Sequence, residues 1–167
     1  VADEDITLAQ VIGKMLRQSK QTVATAESCT GGHIAHLITS VAGSSAWFKG
    51  SVISYANEVK ENILGVQKAT LQSVGAVSEE TVRQMISGVM GKLQTDYAVA
   101  TSGIMGPDGG TAQKPVGTVW IGAGSHNKTI TAKFHFRYDR ARNIEMTSYY
   151  ALNLLRKLMQ EEGISLL

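Results

Sequence analysis

Residues 22–32 read Thr-Val-Ala-Thr-Ala-Glu-Ser-Cys-Thr-Gly-Gly. Thr22 to Ala26 is short, β-branched and apolar, the composition of a strand buried on both faces. Beyond the two glycines, Ile34, Leu37, Ile38 and Val41 repeat at the spacing of one helical face. A buried strand, a tight turn and a helix make the opening of an α/β unit, with Ser28 on the turn. The pattern recurs later: Tyr97 to Thr101 reads as a second buried strand, and it runs into the glycine-rich segment 102–110.

The flanking sequence extends this reading. Leu8, Val11, Ile12, Met15 and Leu16 predict an amphipathic helix. Gly43 to Ala46 is a loop, Ser51 to Tyr55 a strand, and Asn57 to Leu64 a short helix closed by Gly65. Ser78-Glu79-Glu80 has the form of a helix start, and apolar residues from Val82 to Leu93 keep helical spacing. Thr118 to Ile121 is a strand, 125–128 a turn, and Ile130, Ala132, Phe134 and Phe136 alternate with polar residues. That spacing implies an antiparallel hairpin. A last helix follows Asp139. The expected architecture is α/β: a three-layer α/β/α sandwich with a mixed, partly antiparallel sheet, formed by one domain over 1–167.

Composition narrows the classes of function. The 16 basic and 14 acidic residues leave a net charge of +2, too little for the dense basic face of a nucleic-acid binder. The longest apolar run is four residues, at 97–100 and 149–152, against the roughly 20 that a membrane span needs. The start, VADED, is acidic where a signal peptide is positive. The single cysteine, Cys29, cannot form an internal disulfide and suits a reducing compartment. The expectation is a cytoplasmic protein that engages neither nucleic acid nor membrane.

In open α/β sheets ligands bind beyond the carboxyl ends of the strands. Segments 27–32, 55–60 and 102–110 are therefore expected to converge. Ser28 is either a nucleophile backed by helix N-terminal amides or, like Thr30, a helix cap. Cys29 is a rival nucleophile, with His33 one turn on as its partner, or a small buried residue. His33 and His36 share a helix face but have no further ligand at metal spacing. Lys60 is a base if burial lowers its pKa, or a solvated helix lysine. Gly103, Gly106, Gly109 and Gly110 turn backbone amides toward an anion or nucleotide, or make a plain surface turn. The segment matches neither a P-loop nor a dinucleotide fingerprint. Arg137, Arg140 and Arg142 form a basic cluster suited to phosphate or carboxylate, or a solvated patch.

TAESCTGG at 25–32, AGSSAWF at 42–48, SYANEVK at 54–60, GAVSEE at 75–80 and ATSGIMGPDGG with KPVGTV at 100–119 resemble the CinA C-terminal domain family. The resemblance implies an amidohydrolase that converts nicotinamide mononucleotide to nicotinate mononucleotide and ammonia, in bacterial pyridine-nucleotide recycling. It implies no metal and no organic cofactor, a small nucleotide as partner, and a homodimer. It assigns the nucleophile to Ser28, the base to Lys60 and a supporting tyrosine to Tyr55. It places Ser102 at the substrate, with Arg140 ahead of Arg142 as the ligand-facing cation. Thr30, Gly31, Gly32 and Gly103 are expected beside them, with backbone N–H groups near Gly31 and Gly32 at the oxyanion and Arg140 or the glycine-rich loop at the phosphate. Two positions depart from the family pattern: Met105 stands where a small residue is usual, and Ile144 where an arginine is usual. Many relatives carry a large N-terminal domain similar to molybdopterin-binding domains. The 167 residues leave no room for it, so the stand-alone form is expected. A non-catalytic nucleotide-binding module of the same fold, or an amidase for another carboxamide, are the competing functions.

Overall fold

The computed structural model describes residues 6–166. The acidic start at 1–5, which bears on the signal-peptide expectation, lies outside the described residues. The first helix, α1 (Leu8–Ser19), opens on a capping box in which Thr7 and Gln10 satisfy each other's backbone N–H groups. Then come β1 (Val23–Glu27), α2 (His33–Thr39), β2 (Phe48–Ile53), α3 (Asn57–Asn62), α4 (Lys68–Ser73), α5 (Glu79–Leu93), β3 (Tyr97–Gly103), β4 (Thr118–Ser125), β5 (Thr129–His135) and α6 (Arg140–Glu161). Ser78 caps α5 by accepting from the Thr81 N–H, and Asp139 caps α6 by accepting from the Arg142 N–H.

The five strands form one sheet in the order β2-β1-β3-β4-β5. β1 pairs in parallel with β2 and β3, and β4 is antiparallel to both β3 and β5. The expected α/β/α sandwich with a mixed sheet is the observed one. One core lies between the sheet and α1, α2 and α6, and it takes the larger strand residues Val23, Tyr97 and Val99. The other lies under α5 and takes Ala24, Ala26, Ala98 and Ala100. The two central strands thus alternate large and small. Gly122 and Gly124 of β4 continue the smooth face, where a Cβ would collide with Ile86. α5 is therefore seated close on the sheet.

Some boundaries moved. β2 starts three residues before the expected Ser51, because it carries one extra residue opposite Val23/Ala24: Phe48 pairs with Val23 and Gly50 with Ala24. That bulge breaks the period-2 signal. The strand also ends earlier, so Ser54 and Tyr55 lie beyond it. α3 stops at Asn62, where Gly65 (φ 72°) and Val66 turn their N–H groups back onto Glu61 and Lys60. Residues 68–73 form a short helix that carries no periodic signal, since six residues hold too few apolar positions to show one. Among the described residues no helix is long and apolar enough to cross a membrane.

The tight fit of α5 can be tested at Gly88, where a Cβ would overlap the backbone of Leu64. Gly88→Ala should destabilise the protein by about 1–3 kcal/mol through overpacking, despite alanine's better helix propensity. Urea denaturation would show a lowered midpoint with an unchanged slope.

Candidate active site

Because β2, β1 and β3 are parallel neighbours, their carboxyl ends meet at one edge of the sheet. Glu27 ends β1 there and is fully buried. Its carboxylate accepts from the hydroxyls of Thr25 (3.1 Å), Thr30 (2.7 Å) and Ser51 (3.3 Å), and from the N–H groups of Ile34 and Ala35 (2.9 Å each). The last two are orphan donors in the first turn of α2. Neither Ser28 nor Thr30 caps that helix. Gly32 is the N-cap, at φ 98° and with no side chain to offer, and Glu27 does the work from the strand. Thr30 has spent its hydroxyl proton on Glu27, so its 2.9 Å contact with Thr101 is one in which Thr101 donates.

This leaves Ser28 without a capping duty. Its Oγ lies 3.1 Å from Lys60 Nζ. Lys60 is 1% exposed, and its Nζ also donates to the carbonyls of Ser54 (2.7 Å) and Tyr55 (3.2 Å). It takes part in none of the ion pairs among the described residues. Burial holds its pKa below the ordinary lysine value. A neutral amine has two N–H bonds and one lone pair. With both N–H bonds directed to the carbonyls, the lone pair is left to accept the Ser28 hydroxyl proton.

Cys29 does not fit the rival role. Burial pushes its thiol up to about 12, so it stays protonated near neutral pH. His33 and His36 pack their rings together at 6.2 Å. Among the described residues no group of three or more His, Cys, Asp or Glu could hold a metal ion.

Ser28 and Lys60 open onto a cavity of about 290 Å³, bordered also by Tyr55, Ser102, Gly103, Asp108 and Arg140. A larger cavity of about 700 Å³ between α1, α2 and α6 is mainly apolar and lacks a paired nucleophile and base. The glycine-rich wall of the smaller cavity is held by the start of α6: Asn143 Nδ2 donates to the Met105 carbonyl (2.9 Å) and Arg140 to the Gly106 carbonyl (2.8 Å). Arg140 also donates to the Tyr55 hydroxyl at 3.2 Å.

Several expected residues sit differently from their expected roles. Tyr55 is 64% exposed, and its phenol faces Arg140, so it meets Lys60 through its carbonyl. Thr30 and Gly32 lie behind the turn, outside the cavity lining. Gly31 does so too, and its N–H is spent on the Ser28 carbonyl (3.1 Å), which removes it as an oxyanion donor. The N–H groups of Cys29, Thr30 and Gly32 have no backbone carbonyl as partner among the described residues. Arg142 also lies outside the lining: it stacks over Tyr138 and pairs with Glu145 at 3.5 Å. Met105 borders the cavity but is 4% exposed and packed in the larger core, joined there by the half-buried Ile144. Glu27, Asn143 and Asp108 join the site without belonging to any of the expected roles. The first was legible in principle, as an acid at the end of a strand otherwise buried on both faces.

The fold and site define an α/β/α domain with a serine–lysine pair at the carboxyl edge of its parallel strands. The chain belongs to the CinA C-terminal domain family, whose profile matches residues 5–159. It is 48% identical over 155 residues to a CinA-like protein of Cytophaga hutchinsonii, covering 93% of this chain and 37% of that one. It is 50% identical over 151 residues to a CinA-like protein of Endomicrobium trichonymphae, covering 90% and 35%. The chain thus spans little more than a third of the curated relatives it matches. Among solved structures, competence/damage inducible protein CihA of Agrobacterium tumefaciens superposes with a TM-score of 0.89 at 38% identity, over 90% of this chain and 93% of that one. A CinA superfamily protein of Klebsiella pneumoniae gives 0.89 at 30% identity, over 92% and 96%.

Glu27→Gln tests the turn. The substituted amide turns an NH2 group toward donors that need an acceptor, and at least one buried N–H or hydroxyl loses its partner. A loss of roughly 1–3 kcal/mol is expected, read by urea denaturation.

Proposed function

We propose that this chain is an amidohydrolase that deamidates nicotinamide mononucleotide to nicotinate mononucleotide and ammonia. The observation that carries the reading is the 3.1 Å contact between Ser28 Oγ and a buried Lys60 whose other two hydrogen bonds run to carbonyls. The family resemblance supplies the substrate. The small cavity with a single lining guanidinium, Arg140, suits a compact ligand with one anionic end.

Ser28 Oγ attacks the carboxamide carbon as its proton passes to the Lys60 amine. Negative charge builds on the former carbonyl oxygen, where the donor at hand is the Cys29 N–H, the amide next to the nucleophile. Lys60, now an ammonium, returns the proton to the departing nitrogen, and the C–N bond breaks to release ammonia. A water molecule then attacks the acyl-serine ester. Lys60 takes its proton and gives it back to Ser28 as the ester C–O bond breaks. Tyr55 holds Lys60 through its carbonyl and Arg140 through its phenol, so the proton circuit needs only Ser28 and Lys60.

Two measurements test this. Ammonia release from nicotinamide mononucleotide should be lost in Ser28→Ala, with the thermal melt retained. It should be lost equally in Lys60→Arg, since a guanidinium stays protonated. Near-full turnover by either variant would remove the dyad.

The second measurement is the pH profile. The base must be neutral, so kcat/KM should fall as pH drops through the lowered Lys60 pKa. Stability carries the same signature. The unfolded chain keeps the Lys60 proton up to the ordinary lysine value, whereas the folded chain gives it up earlier. Between those two pKa values the unfolded state binds more protons, so stability rises with pH. The penalty is complete below the folded pKa. Wild type should therefore gain stability relative to Lys60→Met as pH rises through that window, as read by thermal melts.

A further inference from the structure

We infer that Asp108 is a substrate-reading residue whose carboxylate accepts the vicinal hydroxyls of a ribose. The pocket would then take a pyridine ribonucleotide in preference to a bare carboxamide. This rests on the pyridine-nucleotide reading of the site and deepens it.

Asp108 is the one carboxylate among the described residues that line the cavity, and Arg140 is the one guanidinium. The two charges are not spent on each other: neither takes part in an ion pair among the described residues. Arg140 is pinned instead by two neutral acceptors, the Gly106 carbonyl and the Tyr55 hydroxyl. Asp108 follows Gly106 by two residues and is exposed. The reacting pair forms the floor, with Ser28 at 7% and Lys60 at 1% exposure.

A ligand with its carboxamide on that floor and its phosphate against Arg140 must run from floor to rim. The part between the ring and the phosphate is the sugar, and the carboxylate lining the cavity that the sugar would cross is Asp108. Chemistry points the same way. An ionised carboxylate accepts hydrogen bonds and donates none. It repels phosphate, and its paired oxygens match two adjacent hydroxyl donors. Hydrogen bonds to charged groups are the stronger kind, so the contact is strong enough to discriminate.

The test is steady-state ammonia release from nicotinamide mononucleotide and from its 2′,3′-dideoxyribose analogue, with wild type, Asp108→Asn and Asp108→Ala. With wild type, the dideoxy analogue should show a KM raised by about 10–100-fold, the range for a lost hydrogen bond to a charged group. Asp108→Ala should raise the KM for nicotinamide mononucleotide by a similar factor. It should leave the KM for the dideoxy analogue within about twofold and kcat nearly unchanged, the coupling expected of partners in contact. Asp108→Asn, which keeps one acceptor oxygen, should fall between.

An Asp108→Ala variant whose KM changes equally for both substrates, or for neither, overturns the assignment while leaving the deamidase reading intact. Wild type that releases ammonia from neither substrate overturns the deamidase reading and the Asp108 assignment together.

Discussion

A single buried carboxylate organises the edge of the sheet where the parallel strands end. Glu27 ends a strand with apolar neighbours, and five donors from four segments close on it: the strand itself, the turn, the first turn of α2 and β2. A charge taken so far out of water is tolerable only when its oxygens are hydrogen-bonded. That demand fixes the path of the chain from Glu27 to Ala35. Since Glu27 supplies the helix cap, the hydroxyl of Ser28 is released for Lys60. Gly31 and Gly32, at φ 58° and 98°, let the chain make that bend without strain.

The second constraint is the reverse case. Lys60 is as buried as Glu27 but meets no opposite charge among the described residues, only two carbonyls and a hydroxyl. Burial drives it toward neutrality, whereas Glu27 is surrounded by donors. Two ionisable groups close in the fold are thus set to different tasks by what surrounds them, the carboxylate as scaffold and the amine as the base of the proposed reaction. The early end of β2 matters here, because Ser54 and Tyr55 leave the ladder with their carbonyls free for the amine.

The sandwich was legible because its central strands and long helices carry strong periods. The hairpin was legible from the alternation at 130–136. The bulge in β2 and the six-residue α4 were not, since each breaks or falls short of a period. At the site, the convergence of three segments followed from the rule that open α/β sheets bind ligands beyond the carboxyl ends of their strands, and the approach of Lys60 to Ser28 was named from resemblance. What escaped was the division of labour among neighbours. The local pattern left open whether Ser28 capped the helix, and only the fold reveals Glu27 in that post. Arg140 and Arg142 look interchangeable in one dimension. On a helix two positions apart they point about 200° from one another, and only the first faces the cavity. Asn143 gave no signal at all, since an asparagine that braces a distant carbonyl looks like any other.

α6 has an influence beyond its place in the core. Its first turn clasps the glycine-rich wall through Arg140 and Asn143, and just past its last turn Glu162 takes the Tyr97 hydroxyl (2.8 Å) and the Ser125 hydroxyl. Tyr97 begins β3, and the clasped wall follows the end of β3. The helix therefore works as a strut bolted to both ends of one strand, so trimming the tail near Glu162 would loosen an anchor at the far rim of the sheet while every residue around the crevice stayed in place.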